Sequence, residues 1–217
     1  SAGYFREDLA AALAAGSGAG SPIIHVRGVL AHARESRRTR QVQVYGVDER
    51  FWRFHGVARE GPHGRSAFVG ADLAATLDVR PGDELLLRIE TADWIPRESL
   101  YGRREEAART SRLTCEAVLS PRELGGFSLR PAQGSVLTVF VPLARLQRDL
   151  EQPGRVNTVL LGPAGRAAGP AAVREALTRS LEPRDVGVSV RALPGGRSAA
   201  VESDRLLLPE PVARAAF

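Results

Sequence analysis

Residues 136–161 constrain this chain more than any other stretch, because the hydrophobic period changes twice within them. Residues 136–141 form an apolar run rich in β-branched side chains, as a buried strand requires. Pro142 cannot donate to a sheet ladder, yet its fixed φ suits the first position of a helix. Leu143, Leu146 and Leu150 then recur at helical spacing, with Arg145, Arg148 and Asp149 turned the other way. Pro153-Gly154 stops the helix, and residues 156–161 return as a second strand. Strand, helix and strand in this order call for a sheet with a helix laid across it.

The remaining segments supply similar pieces. A helix is predicted over 4–15, with Phe5, Leu9, Ala12 and Leu13 as its apolar stripe. The glycine run 16–20 reads as a flexible connector: it follows a helix and lacks the Lys-Ser/Thr of a phosphate loop. Strands over 23–33 and 41–47 form a hairpin. Its tip carries Arg34, Arg37, Arg38 and Arg40, and reads as a solvated charged turn in preference to a lipid-phosphate or acidic-partner contact. A short helix over 48–55, a strand at 66–69, a helix at 71–77, a turn at 80–83 and a strand at 84–90 follow. In that strand Leu85, Leu87 and Ile89 alternate with polar residues. Residues 91–111 form a long polar loop, then strands are expected at 112–119 and 127–130. Beyond the opening stretch come a helix at 170–181 bearing Val173, Ala176, Leu177 and Leu181 on one face, and strands at 186–191 and 199–202. Residues 206–217 are apolar and open a helix after Pro211, read as a stalk.

The function classes narrow by exclusion. At 217 residues the chain can bury a real core. No apolar run approaches the roughly 20 residues of a membrane-spanning helix, and no signal peptide is evident. Ser1-Ala2 reads as a vector remnant. All 30 basic residues are Arg and the net charge is +5, but 25 acids are interleaved with them and aromatics make up only 6%. Without a basic helix or a stacking platform, nucleic acid is not expected as a partner. The single cysteine, Cys115, rules out an internal disulfide and reads as a small core hydrophobe. The histidines His25, His32, His55 and His63 have no zinc-pair spacing, so no metal site is expected. No nucleophile elbow or nucleotide-binding loop is present, so neither a catalytic residue nor a cofactor is expected.

Three blocks carry a family resemblance. They are the stretch 136–161, the segment Val-Tyr-Gly-Val-Asp-Glu-Arg-Phe-Trp ending at Trp52, and the segment from Phe68 to Asp83 with its following strand. In this order they resemble the extracytoplasmic (periplasmic core) domain of MacB/FtsX-type ABC transporter permeases, a group that includes LolC and LolE. The resemblance implies an α+β fold: a mixed sheet covered by helices (porter-like), with an inserted small α/β subdomain (Sabre-like). It places the porter-like part at 1–50 and 136–217 and the insert at 51–135. It further implies a non-enzymatic domain on the periplasmic side of a bacterial inner membrane. There it would relay ATP-driven motion to cargo or a periplasmic partner, working with an ABC ATPase through the full-length membrane protein, in a dimer of permeases. The alternatives are a basic binding module for polyanions or anionic lipid, and an enzyme with an unrecognised site.

Two further expectations come from the residues themselves. Trp94, Ile95, Leu100 and Tyr101 are large apolar groups in a polar loop, which makes them the candidates for partner or cargo contact. The segments on either side of the middle should share one sheet, covered by the helices at 4–15, 143–150 and 170–181.

Overall fold

The computed structural model describes residues 3–35, 37–89, 109–131, 134–163, 169–193 and 198–203. The chain forms two compact units, one spanning 21–160 and the other combining 2–20 with 161–217. The long strand β2 (Gly18–His32) and the strand β9 (Thr158–Pro163) carry the chain across that division.

The first unit is built on β2, β3 (Arg38–Val47), β4 (Ser66–Gly70), β5 (Glu84–Ile89), β6 (Arg109–Leu119) and β7 (Thr138–Pro142). Their order is β3-β7-β4-β6-β5-β2-β9, and an additional β3–β2 pairing closes six strands into a ring. Gly28, Leu30 and Ala31 of β2 are paired on both sides, with β3 and with β5, which is where the ring shuts. β3 and β7 run parallel, Gln43 opposite Thr138 through Val47 opposite Pro142. The segments before and after the middle therefore do share a sheet. The strands of the middle, β4, β5 and β6, lie in that same sheet between β7 and β2, so the chain divides elsewhere than at 51 and 135. The physical reason is that β4 and β5 have free edges, and β7 and β2 satisfy them.

Strands buried on both faces explain the continuous apolar runs. In β3, Val44, Tyr45, Gly46 and Val47 are all buried, and in β7 Thr138, Val139, Phe140 and Val141 are. One face of each looks into the ring: at Gly28 an added Cβ would meet Leu87 and Val44. The other face packs on α2 (Glu49–Phe54), where Tyr45, Val47, Phe68, Leu119 and Phe140 enclose Phe51 and Trp52. Helix α3 (Ala71–Leu77) occupies the residues the sequence indicates. Helix α4 (Leu143–Asp149) lies over Gly46, whose missing side chain lets Leu146 approach: a Cβ there would sit 2.8 Å from Leu146 Cδ2. Pro142 is the N-cap of α4, one position earlier than expected.

No strand forms at 127–130. Phe127 instead packs against Tyr45, Phe51 and His55, and the Leu129 N–H donates to the Tyr45 hydroxyl at 3.3 Å. The strand β8 (Arg155–Val156) is separated from β9 by Asn157. The Asn157 amide accepts from the His25 N–H and donates to the His25 carbonyl, both at 2.8 Å, so a side chain stands in for a ladder pair.

The second unit contains β1 (Phe5–Arg6), α1 (Asp8–Ser17), α5 (Pro170–Ser180) and the antiparallel hairpin β10 (Val188–Ala192) and β11 (Ala199–Ser203). Helices α1 and α5 bury Leu9, Leu13 and Ala176 against one another, with Leu161 of β9 packed on the same cluster. Ala10 is buried and Ala12 exposed, so the stripe on α1 is rotated from its predicted place. The glycine run is no connector: α1 extends to Ser17 and β2 begins at Gly18. Gly20 serves close packing, since a Cβ there would lie 2.8 Å from Ala14 Cβ. A 3-10 turn, Pro183–Val186, follows α5 and presents Asp185 to Arg6.

Candidate functional site

A cleft of the first unit lies where β3 and β7 end side by side, Val47 opposite Pro142. Each strand runs directly into a helix, which is where crevices form beside parallel strands. The loop Gly61-Pro62-His63-Gly64 closes the third side of a cleft of about 450 Å³. Asp48 precedes α2 as its N-cap, its Oδ1 accepting the Arg50 N–H at 2.9 Å. The Arg50 guanidinium folds back on the same carboxylate, with Nε 2.9 Å from Oδ2 and Nη2 also bonded to it. Glu49 and Arg53 pair at 3.9 Å in water, an interaction of a few tenths of a kcal/mol. Trp52 lies beneath Gly61, where a Cβ would come within 2.9 Å of Nε1. Acid thus meets base within the cleft wall, and the cleft presents a shape with its charges largely matched.

The titratable groups elsewhere have structural surroundings. His25 stacks on Tyr45 at 4.8 Å and bonds Gln43 through Nε2 at 2.7 Å. His32 lies on the opposite face of β2, with Nε2 3.5 Å from Asp83. His55 packs on Phe51 and Phe127, and burial holds its pKa below the ordinary imidazole value. His63 is exposed. Cys115 is buried in β6, its thiol pushed up to about 11 by burial and then by the nearby Asp83 carboxylate. Among the described residues no group of three or more His, Cys, Asp and Glu could hold a metal ion.

Trp94, Ile95, Leu100 and Tyr101 lie outside the described residues, as does the apolar stretch 206–217. At the hairpin tip, Arg37 is engaged by Glu35 and by Asp78, each at 3.4 Å. Sequence reading did not single out the cleft. Two local signals were available: Asp48 ahead of a helical pattern, and the glycines flanking Pro62-His63.

No protein-family model matches the chain, and no curated protein matches it by sequence. Solved structures do. The periplasmic region of MacB from Actinobacillus actinomycetemcomitans superposes with a TM-score of 0.50 and 9% identity, covering 98% of this chain and 82% of that one. The fold is that of the MacB periplasmic region. The extracellular domain of the noncanonic ABC-type transporter YknZ from Gram-positive bacteria gives a TM-score of 0.49 at 11% identity, over 80% of this chain and 78% of that one. The MacB-type fold accounts for the α+β class: a mixed sheet with short helices after β3, β4 and β7. At this identity only the fold is held in common, and no residue role carries over. No helix among the described residues is long and apolar enough to cross a membrane.

Proposed function

We propose that this chain is the extracytoplasmic domain of an ABC transporter permease of the MacB/FtsX kind. The observation that carries the proposal is the MacB-type fold over 98% of the chain. Three blocks of the sequence resemble that same family independently of any coordinates. In this reading the domain is non-catalytic. It stands on the periplasmic side of a bacterial inner membrane, between membrane helices of the full-length protein. An ABC ATPase, fused or separate, drives a dimer of such permeases, and the domain transmits that motion to cargo or to a periplasmic partner. Trp94, Ile95, Leu100 and Tyr101 are the proposed contact residues. The matched charges of the cleft suit a mechanical element better than a reactive one.

Sidedness tests the proposal directly. Cys115 is buried and its thiol stays protonated near pH 7, so the chain contributes little background to maleimide labelling. Arg122 is exposed in the turn after β6, and Arg122→Cys gives a reporter in the full-length protein. A membrane-impermeant maleimide should label it in cells whose outer membrane alone has been opened. Labelling only after lysis of the inner membrane would overturn the assignment.

A further inference from the structure

Among the described residues the helices pack chiefly on β3, β4, β6 and β7, which leaves the adjoining strands β2 and β5 without a major helix contact. Strand register puts charges there in a defined pattern. Ala31 pairs with Arg38 on one side and Leu86 on the other, and Leu86 pairs with Arg112. One row across four strands therefore reads Arg38, Ala31, Leu86, Arg112. The next row contains Val29, Arg88 and Thr110. Arg38, Arg40, Arg88 and Arg112 are exposed, whereas Val29, Ala31 and Leu86 are half-buried. Glu84, which is half-buried, lies beside these rows 3.6 Å from Arg112.

A backbone irregularity maintains the pattern. The register passes from Leu30 opposite Thr39 to Gly28 opposite Val42, so β3 places Arg40 and Gln41 opposite the single residue Val29. Gln41 takes φ +60°, a left-handed conformation that disfavours side chains. Without this bulge, alternation would turn Val42 and Val44 outward whenever Arg38 and Arg40 faced outward. With it, both valines are buried and both arginines are exposed. The strained residue thus lets one strand carry a core and an arginine face together.

The geometry points to this face, the outer side of β2 and β5 flanked by Arg38 and Arg40 at the start of β3 and by Arg112 of β6, as a docking surface for an acidic segment of a partner protein. Guanidinium forks match carboxylates two bonds at a time, and arginine around an apolar centre is the composition of protein interfaces. The rows hold no aromatic residue, so they offer neither a base-stacking platform nor an anchor for a membrane interface. Four strands at their usual spacing span only about 14 Å, so the contact is small, fast to form and salt-sensitive. The inference goes beyond the permease reading and does not depend on it.

The probe is a fluorescein-labelled octapeptide alternating Glu and Val, followed by fluorescence anisotropy on the whole chain. Binding should weaken about tenfold between roughly 50 and 200 mM salt and about tenfold again in Arg38→Glu with Arg112→Glu. The control Arg148→Glu with Arg179→Glu, on helix surfaces elsewhere, makes the same change in net charge and should move affinity less than about twofold. The neutral pair Arg38→Gln with Arg112→Gln repeats the test if the reversal disturbs folding, which circular dichroism reads. Equal losses in face and control variants would overturn the proposal, leaving only overall charge. An unbound peptide would do the same, as for a face already covered by its own chain. So would tighter, face-dependent binding to phosphatidylglycerol vesicles or to a thymidylate strand, which would make phosphate the ligand.

Discussion

Removing the Asp185 carboxylate should loosen the second unit selectively. Asp185 is 6% exposed and accepts from the Arg6 backbone N–H at 3.2 Å, from Arg6 Nε and Nη2 at 2.9 Å, and from the Glu182 N–H at 2.9 Å. Breaking a buried ion pair costs about 3–5 kcal/mol when the surviving charge is stranded. Arg6 is not wholly stranded: it keeps Glu182 at 2.7 Å and the Ser180 carbonyl at 3.0 Å, and its side chain is 21% exposed. Asp185→Ala should therefore cost about 2–3 kcal/mol. Two compact units need not unfold together, so the readout is amide exchange resolved along the chain. Protection in α1 and α5 should fall by roughly 30- to 150-fold, at about 1.4 kcal/mol per tenfold. Protection in β3 to β7 should hold.

The pH dependence has a definite sign. Burial alone would raise the Asp185 pKa, but the hydrogen bonds from Arg6 and Glu182 and the charge of Arg6 outweigh it and lower the value. Its contribution is thus present above the unfolded carboxyl pKa of about 3.9 and is lost as pH falls through the depressed folded value. Wild-type protection in the second unit should fall in that acid window, and the Asp185→Ala protein should show a smaller fall there. A cost under about 0.5 kcal/mol, or equal losses in both units, would refute the reasoning.

Two further substitutions probe the first unit by urea denaturation. Asn157→Ala removes both hydrogen bonds to the His25 backbone and should cost about 2 kcal/mol, with Asn157→Asp intermediate because it keeps the acceptor. An unchanged midpoint would mean that water replaces the amide at no cost. Gln41→Gly should stabilise by about 0.5–1 kcal/mol, because glycine takes φ +60° without strain. A lower midpoint would show that the glutamine side chain contributes more than its backbone costs.

What was legible in the sequence was local. Leu143, Leu146 and Leu150 mark α4, the segment 71–77 coincides with α3, and the two runs around Arg34–Arg40 form the β2–β3 hairpin. Each depends on a period or a turn residue within a dozen positions. Local patterns misled where a residue serves a distant neighbour. The glycines at 16–20 looked flexible, but Gly20 is there because a strand crosses Ala14. Phe127 looked like strand, but its ring belongs to the cluster around Phe51 and Tyr45. Leu177 and Leu181 read as part of one apolar helix face, yet they are 37% and 41% exposed.

The sequence by itself therefore determined the elements whose pattern is local, such as α3, α4 and the β2–β3 hairpin, because propensity and periodicity act along the chain. Tertiary structure alone decided that β2 also pairs with β5 and β9, that six strands close into a ring, and that a bulge at Gln41 turns an arginine row outward. Strand pairing joins residues far apart in sequence, and a one-residue change of register reverses every face. No local pattern records that choice; it is fixed only when the partner strands meet.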